Sequence, residues 1–224
     1  MKVLGIIPAK RVSSRIKNKN IKKINNRYLI EYTILSSIKS KVFSNIIVSS
    51  DSLKVKNICN NYDLTFIERP KSISKKNSDI KDAILFTLNE LYKYEINQPD
   101  LIIILEPTSP LRSVKTIKNV VNLFKSKKKI NSILPISIKN QLIAIKYRKR
   151  LKFINHSNIN NSIKRKSYYE VSSLIWAVRT KYFLKTKKIF DVNSFPFITN
   201  QFENFDINNQ KDLKRLKNNS LLKI

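Results

Sequence analysis

Cysteine, histidine and glycine are almost missing from this 224-residue sequence, which contains one of each. The single cysteine, Cys59, has no partner for an internal disulfide, which is typical of a protein of the reducing cytoplasm. One cysteine and one histidine, His156, cannot form the clusters that bind zinc and other soft metals. Any metal is therefore expected to be a hard cation held by oxygen ligands.

The sequence also lacks a long apolar run. The opening apolar stretch, Val3–Pro8, has the length of one strand and is followed at once by Lys10 and Arg11. A signal peptide carries its positive charges before a longer apolar region, and a membrane-spanning helix needs about 20 apolar residues. We therefore predict a soluble, cytoplasmic protein without a targeting segment.

Acidic residues are scarce, since 15 Asp and Glu oppose 45 Lys and Arg for a net charge of +30. Such a charge favours a polyanionic partner, for example nucleic acid or an anionic surface. It also fits a compositional drift, because the lysines are spread along the chain among many Asn and Ile residues. No helix-turn-helix, zinc-finger or RNA-binding aromatic signature is visible, so nucleic acid is not the partner we predict.

Strand and helix patterns alternate through the first half of the chain. Predicted strands are Lys2–Ala9, Asn45–Ser50, Leu64–Glu68 and the continuously apolar Leu101–Leu105; predicted helices are Leu29–Ser40, Asp51–Asn61, Asn77–Tyr94 and one capped by Ser113, with Val114, Ile117, Val120, Val121 and Phe124 on its buried side. Continuously apolar strands are typical of parallel sheets that are covered on both faces. The order predicts an α/β fold with a doubly wound, mostly parallel sheet and helices on both faces.

The second half of the chain is richer in strand patterns. Strand-like segments lie at Ser132–Ile138, Leu142–Lys146, Leu151–Ile154 and Glu170–Val178. The polar stretch Asn155–Lys166 is predicted to be a loop, and a last helix is predicted at about Asn209–Asn218. Because the sequence contains no repeat and no linker, residues 1–224 are predicted to form one domain.

The loop after the first strand is the first candidate site, because ligands of doubly wound sheets bind beyond the carboxyl ends of the strands. Four cationic side chains lie in this loop: Lys10, Arg11, Arg15 and Lys19. Together with the Ser13 hydroxyl and backbone N–H groups, they could form a cradle for a triphosphate. A solvated basic loop without a ligand explains the same residues equally well.

Two segments resemble a known family. The loop follows a pattern of Pro-Ala-Arg, two small residues, Ser, then basic residues and Lys-Asn; the matching residues are Pro8, Ala9, Ser13, Arg15, Lys19 and Asn20. The segment from Leu105 to Arg112, Leu-Glu-Pro-Thr-Ser-Pro-Leu-Arg, is a more specific match. Both resemble the cytidylyltransferases that make CMP-activated sugar acids, whose substrates include sialic (acylneuraminic), legionaminic, pseudaminic and 3-deoxy-octulosonic acids.

The resemblance continues in register along most of the chain. Further matching segments are Leu29–Ile34, Ile47–Asp51, Arg69–Pro70, Tyr168–Ile175 and Glu203–Asn209. The sequence departs from the family pattern near the expected chemistry: Lys10 stands for Arg, Arg11 and Val12 for two small residues, Glu106 for Gln, Ser172 and Ser173 for Asn-Gly, and Asn208 for the second of two aspartates.

The resemblance implies a Rossmann-like fold of the nucleotide-diphospho-sugar transferase type, with a β-rich extension that forms a homodimer. It implies a role in catalysis for Lys10, Arg15, Lys19 and Asp206, and in nucleotide binding for Ala9, Lys10, Arg11, Ser13, Asn20, Arg69, Ser78, Glu106, Thr108 and Ser109. It implies sugar binding by Arg165, Tyr169 and Ser172, with Ser78 as a further candidate, and Mg²⁺ binding by Asp206 and Asn208.

The reaction that the resemblance implies is transfer of CMP from CTP to an acidic sugar with release of pyrophosphate, for surface polysaccharide or glycan synthesis. Two alternatives stay open. One is a nucleotidyltransferase of the same fold that uses another sugar, such as 3-deoxy-octulosonic acid, or another nucleoside triphosphate. The other is a degenerate chain that binds a nucleotide or a polyanion without catalysis.

Overall fold

The computed structural model describes residues 1–13, 15–75, 77–139, 143–154 and 167–217. The strands are β1 (Val3–Pro8), β2 (Lys23–Ile24), β3 (Arg27–Tyr28), β4 (Asn45–Ser50), β5 (Thr65–Glu68), β6 (Leu101–Ile104), β7 (Ser132–Lys139), β8 (Ala144–Tyr147), β9 (Arg150–Phe153), β10 (Tyr168–Val171), β11 (Trp176–Arg179) and β12 (Phe195–Ile198). The α-helices are α1 (Leu29–Ser40), α2 (Leu53–Asn60), α3 (Ile80–Glu90), α4 (Val114–Ser126), α5 (Thr180–Thr186) and α6 (Gln210–Lys217).

Among the described strands, eight form one sheet, and its first half is parallel as predicted. β1 pairs in parallel with β4 on one side and with β6 on the other, and β5 extends the sheet beyond β4. In this register Ile6 lies between Ile47 and Ile104. Because the four strands run in the same direction, their carboxyl ends lie along one edge, which is where such sheets bind ligands.

Helices cover both faces of this sheet, as the alternation of elements predicts. Successive side chains of a strand point to opposite faces: Val3 and Ile7 of β1 are buried with side chains of α1, α2 and α4, whereas Leu4 and Ile6 are buried with side chains of α3 and α5. The helix after Ser113 begins as predicted, because the Ser113 hydroxyl accepts the Thr116 N–H at 3.1 Å.

The second half of the chain adds antiparallel strands beside β6. β11 pairs with β6 and the start of β7, β10 pairs with the end of β7, and β12 runs parallel to β7. The prediction of one strand over Glu170–Val178 is wrong, because residues 172–175 separate β10 from β11. They lie opposite Pro135, whose carbonyl accepts the Ser172 N–H at 2.9 Å. Proline has no N–H to continue the ladder, so the strand is interrupted there.

Several boundaries differ from the prediction. Helix α3 begins at Ile80 rather than Asn77, because the Asp79 side chain caps it by accepting the Lys81 N–H at 3.0 Å. Helix α5, strand β12 and the small β2–β3 hairpin were not predicted. Strands β8 and β9 form a hairpin. The loop predicted at 155–166, the start of the strand predicted at 142 and the helix end predicted at 218 lie outside the described residues. No described helix has both the length and the apolar character needed to cross a membrane.

Candidate nucleotide-binding site

A cavity of about 160 Å³ lies at the edge where the parallel strands end. Lys10 follows β1, Arg69 follows β5 and Glu106 follows β6. The lining residues are Pro8, Lys10, Arg69, Ser78, Asp79, Ile80 and Glu106. The fold thus brings four of the residues predicted for nucleotide binding, from four separate segments of the chain, to one cavity.

The loop after β1 is held by the turn between β4 and α2. Ala9 is buried, and its carbonyl accepts a hydrogen bond from the Ser50 hydroxyl at 2.5 Å. The Arg11 N–H donates to Asp51 Oδ1 at 2.6 Å. Neither Arg11 nor Val12 has a positive φ. The loop therefore follows a path open to residues with side chains, and the pair that replaces two small residues is accommodated without left-handed backbone.

A small apolar cluster fixes this loop beside the C-terminal segment. Ile16 and Ile207 are buried in it together with residues of β2, α1 and α6. Lys19 Nζ donates to the Ile207 carbonyl at 3.0 Å, and the Ile207 N–H donates to the Thr108 carbonyl at 2.9 Å. The basic loop, the turn after β6 and the segment 206–208 are thereby held side by side.

Two half-buried lysines lie in this region, and burial lowers the pKa of each below the usual lysine value. For Lys10 the neighbouring charge of Arg69 lowers the pKa further, and nearby carboxylates oppose the shift. For Lys19 the carboxylates of Asp206 and Glu106 oppose the effect of burial. Burial disfavours the charged form of these amines. A polyanion that binds here would stabilise the charged form and be attracted by it.

Arg69 is a buried cation in the wall of the cavity. Its side chain is 5% exposed, and its Nε and Nη2 atoms have no hydrogen-bond partner among the described residues. Burial lowers its pKa, and the charge of Asp51 opposes that shift. Buried donors without partners cost free energy, so this arrangement is suited to a ligand that brings acceptor atoms into the cavity.

Glu106 provides an acceptor in the same cavity. Its Oε1 atom accepts a hydrogen bond from Trp176 Nε1 at 3.3 Å. Burial raises the pKa of the Glu106 carboxyl group; the Trp176 bond opposes this shift, and the charge of Asp206 adds to it. The backbone of Glu106 is fixed by Arg112, which is 2% exposed and donates from Nη2 to the Glu106 carbonyl at 2.8 Å.

Asp206 carries an oxygen atom that fits a cation. Asn208 Nδ2 donates to Asp206 Oδ2 at 2.9 Å, and Asn208 Oδ1 accepts from Arg15 Nη1 at 2.8 Å. Asp206 Oδ1 is buried and has no partner in the described part of the chain. A carboxylate oxygen without a partner, close to basic side chains, is the ligand type that Mg²⁺ prefers. The described residues contain no group of three His, Cys, Asp or Glu side chains that could hold a metal, so a bound phosphate would have to complete the coordination.

The other residues predicted for the nucleotide lie around these groups. Asn20 is buried and donates from Nδ2 to the Lys10 carbonyl at 3.0 Å, which orders the loop. Ser109 is buried, and its hydroxyl donates to the Ser173 carbonyl at 3.4 Å. Ser13 and Thr108 are half-buried. The side chains of Asn20 and Ser109 thus bond to backbone carbonyls and hold the site in shape.

The residues predicted for the sugar are less closely grouped. Tyr169 lies on β10 with its side chain 57% exposed. The Ser172 hydroxyl donates to Asn204 Oδ1 at 2.7 Å, in the interruption between β10 and β11. Arg165 lies outside the described residues. In the part of the chain that the structure describes, Tyr169 and Ser172 do not line the cavity of the nucleotide site.

Three residues of the site escaped the sequence interpretation. Asp51 fixes the Arg11 backbone, Arg112 fixes the Glu106 backbone, and Trp176 binds the Glu106 side chain. Asp51 and Arg112 belong to segments that match the family pattern, but nothing in a pattern says which backbone a side chain will bind. Trp176 is the only tryptophan of the sequence, and that rarity was the one available signal.

Comparison with known proteins finds similar sequences. A family profile described as "Cytidylyltransferase" matches residues 4–223. The chain is 27% identical over 220 residues to N-acylneuraminate cytidylyltransferase of Escherichia coli, covering 95% of this chain and 51% of that protein. It is 26% identical over 221 residues to CMP-N,N'-diacetyllegionaminic acid synthase of Campylobacter jejuni, covering 95% of this chain and 92% of that protein. The chain therefore spans about half the length of the first relative.

Solved structures show the same fold. The structure of CMP:2-keto-3-deoxy-manno-octonic acid synthetase in complex with CTP superposes with a TM-score of 0.70 at 12% identity, covering 97% of this chain and 98% of that one. The likeness confirms the predicted α/β fold with a mostly parallel sheet.

Proposed function

This chain belongs to the cytidylyltransferase family, and from that premise we propose that it transfers CMP from CTP to an acidic sugar and releases pyrophosphate. The acceptor class is sialic, legionaminic, pseudaminic or a related nonulosonic acid, and the reaction takes place in the cytoplasm within one domain that comprises residues 1–224. The observation that carries the proposal is the juxtaposition of a cavity containing the unpartnered Arg69 with a basic loop and the unpartnered oxygen of Asp206.

The cavity suits a cytosine base. The ring nitrogen N3 and the carbonyl oxygen of cytosine are acceptors, and its amino group is a donor. Arg69 offers free N–H donors, and Ser78 and Glu106 in the same cavity can accept. Uracil presents an N–H and a second carbonyl at the corresponding positions, so the same set of groups disfavours it.

The basic loop suits the triphosphate. Lys10, Arg15 and Lys19 would neutralise the phosphates and the leaving pyrophosphate, since phosphoryl transfer depends on positioning and charge stabilisation more than on covalent help. A sugar hydroxyl attacks the α-phosphorus, and the bond to pyrophosphate breaks. Asp206 would hold Mg²⁺, with Asn208 supporting the carboxylate through its Nδ2 bond. When bound, the ion would polarise the phosphoryl group as a Lewis acid.

We propose that the sugar is bound with the help of the β-rich second half, at Tyr169 and Ser172 and at Arg165, and that this half pairs with a second copy of the chain. Large apolar side chains on β10 and β12 support the pairing: Tyr169, Val171 and Ile198 are between 52% and 60% exposed. β10 and β12 both pair with β7, and exposed apolar side chains grouped in this way are typical of interaction surfaces. Light scattering on the purified protein would give twice the 26.2 kDa chain mass.

The experiment that tests the function is pyrophosphate release from CTP and Mg²⁺ across a panel of sugar acids. The panel contains N-acetylneuraminic, legionaminic, pseudaminic and 3-deoxy-octulosonic acids, with ATP, GTP and UTP in place of CTP as controls. Release with CTP and one acid supports the proposal and identifies the substrate. Folded protein that binds no CTP and releases nothing would contradict it.

A polyanion-binding function is the second candidate, because the β8–β9 hairpin is exposed and basic. Its exposed cations are Lys146, Arg148, Lys149, Arg150 and Lys152. Basic surfaces bind polyanions in a salt-dependent manner. Retention on heparin at high salt, together with no retention on a CTP resin, would favour this function over nucleotide transfer.

Arg69 allows a prediction in which binding and stability move in opposite directions. Replacement by methionine removes donors that we propose for the base, and hydrogen bonds to charged groups contribute about 1.5–3 kcal/mol each. We expect CTP binding to weaken by roughly 10–100-fold, measured by calorimetry.

The free energy of unfolding should stay the same or rise by about 1 kcal/mol, because a buried unpaired cation is removed. An Arg215→Met variant, on the exposed side of α6, should change neither quantity. A large loss of stability in Arg69→Met would contradict the observation that this guanidinium lacks partners.

The lowered lysine pKa values predict a pH dependence of CTP binding. Lys10 and Lys19 bind phosphate in their charged forms, which exist below their pKa and are lost as the pH rises through it. Because burial lowers both pKa values, CTP affinity should fall with rising pH before an ordinary lysine titrates. In a Lys10→Arg/Lys19→Arg variant the affinity should stay constant over the same range, because arginine remains protonated. Parallel curves for the two proteins would rule out the lysines as the titrating groups.

A further inference from the structure

Asp206 and Glu106 each have one carboxylate oxygen without a hydrogen-bond partner among the described residues. Asp206 Oδ1 is buried and unpartnered. Glu106 uses Oε1 to accept from Trp176, and its Oε2 atom has no described partner. By contrast, Glu203, three residues before Asp206, has both oxygens occupied by the Ser113 N–H and hydroxyl at 3.1 and 2.9 Å. Glu106 and Asp206 therefore each keep an oxygen available for a cation, whereas Glu203 does not.

Asn208 is a poor candidate for the second ligand. Its side chain has one oxygen, and this atom already accepts from Arg15 Nη1, while its Nδ2 donates to Asp206 Oδ2. Rotating the amide by 180° would place oxygen against the Asp206 carboxylate and nitrogen against the guanidinium. Both neighbours therefore fix the observed orientation. An amide also brings no negative charge to balance a divalent cation.

Glu106 and Asp206 belong to two segments that are bonded to each other. The Thr108 carbonyl, two residues after Glu106, accepts the N–H of Ile207, the residue after Asp206, at 2.9 Å. Lys19 donates to the Ile207 carbonyl, and both carboxylates act on its charge. The two carboxylates also act on each other electrostatically. The segments that carry the two carboxylates thus lie side by side next to the basic loop.

We infer that Glu106 and Asp206 together provide the carboxylate ligands of a divalent-cation site, each through the oxygen that the protein leaves without a partner. The role of the cation in turnover rests on the proposed function, but its binding does not and can be measured alone. The inference moves Glu106 from the base, for which it was proposed above as an acceptor, to the metal, and leaves Ser78 as the acceptor for the cytosine amino group. Trp176 then orients the carboxylate by occupying its other oxygen.

The test is Mn²⁺ binding to the purified chain without substrate, measured by the electron paramagnetic resonance signal of free Mn²⁺. Glu106→Gln keeps the size of the side chain and an acceptor for Trp176 but removes the charge. We expect it to weaken Mn²⁺ binding by about tenfold or more. Adding Asn208→Asp to this variant returns a second carboxylate beside Asp206 and should restore most of the lost affinity. Glu90→Gln, at the end of α3 and far along the chain from the site, is the matched control and should bind Mn²⁺ like the unchanged protein.

Two results would overturn the inference. One is unchanged Mn²⁺ affinity in Glu106→Gln, and such a variant with weakened CTP binding would instead assign Glu106 to the base. The other is a Glu106→Gln/Asn208→Asp variant that binds Mn²⁺ no better than Glu106→Gln, although its thermal unfolding shows that it is folded. The proposed function fails separately, through absence of pyrophosphate release by a chain whose Mn²⁺ binding depends on Glu106.

Discussion

Replacement of Asp206 by asparagine should reduce pyrophosphate release by roughly 10³-fold, because a metal ion acting as a Lewis acid contributes several kcal/mol to the barrier and each 1.4 kcal/mol is a factor of ten. The side chain keeps its size, and its oxygen can still accept from Asn208 Nδ2. The change removes the charge and places an amide where the buried Oδ1 lacks a partner. Turnover is measured with CTP, Mg²⁺ and the sugar acid that the panel identifies.

The fold should withstand this replacement. Asp206 Oδ1 contributes no hydrogen bond within the described residues, so placing an amide nitrogen there exchanges one unpartnered polar atom for another and breaks no stabilising contact. We expect the free energy of unfolding to change by less than about 1 kcal/mol. Asp100→Asn, just before the other end of β6, is the control and should keep full turnover. Asp206→Asn with near-normal turnover would remove Asp206 from the site and with it the proposed place of the metal.

The sequence predicted the parallel half of the fold well, for physical reasons that can be stated. The boundaries of α1 and β4 are those observed, because apolar periodicity distinguishes a helix covered on one side from a strand buried on both. The one glycine also has a structural reason: a Cβ atom at Gly5 would lie 3.1 Å from the Phe43 ring.

The second half was harder, because its boundaries depend on partners distant in sequence. The interruption at 172–175 is explained by Pro135 on a neighbouring strand, and no local pattern in residues 170–178 reveals it. The same holds for the site. The residues that follow the strands were predicted by position, but the free oxygen of Glu106 and the occupied oxygen of Asn208 are properties of three-dimensional contacts. Residue type suggested the second metal ligand at 208, whereas our inference from the contacts is a ligand at 106.

Arg112 is held by hydrogen bonds to carbonyl groups elsewhere in the chain. Its replacement by methionine should lower the free energy of unfolding by about 3 kcal/mol. The guanidinium donates to the Leu174 carbonyl at 2.5 Å and to the Glu106 carbonyl at 2.8 Å. Burial lowers the pKa of Arg112 to about 10, so carrying this charge inside the protein has a cost that methionine would remove. The Leu174 carbonyl would be left without a donor, which costs about 1–3 kcal/mol for a buried acceptor. The Glu106 carbonyl would lose its charged donor and keep only the longer bonds from the Ser109 N–H at 3.3 Å and the Thr33 hydroxyl at 3.4 Å. The cost of these lost hydrogen bonds outweighs the gain from removing the buried charge. Urea denaturation measures the change, and Arg150→Met on the exposed hairpin, where we expect less than about 0.5 kcal/mol, is the matched control. Equal denaturation midpoints for Arg112→Met and the unchanged protein would show that the turn after β6 holds its position without this clamp.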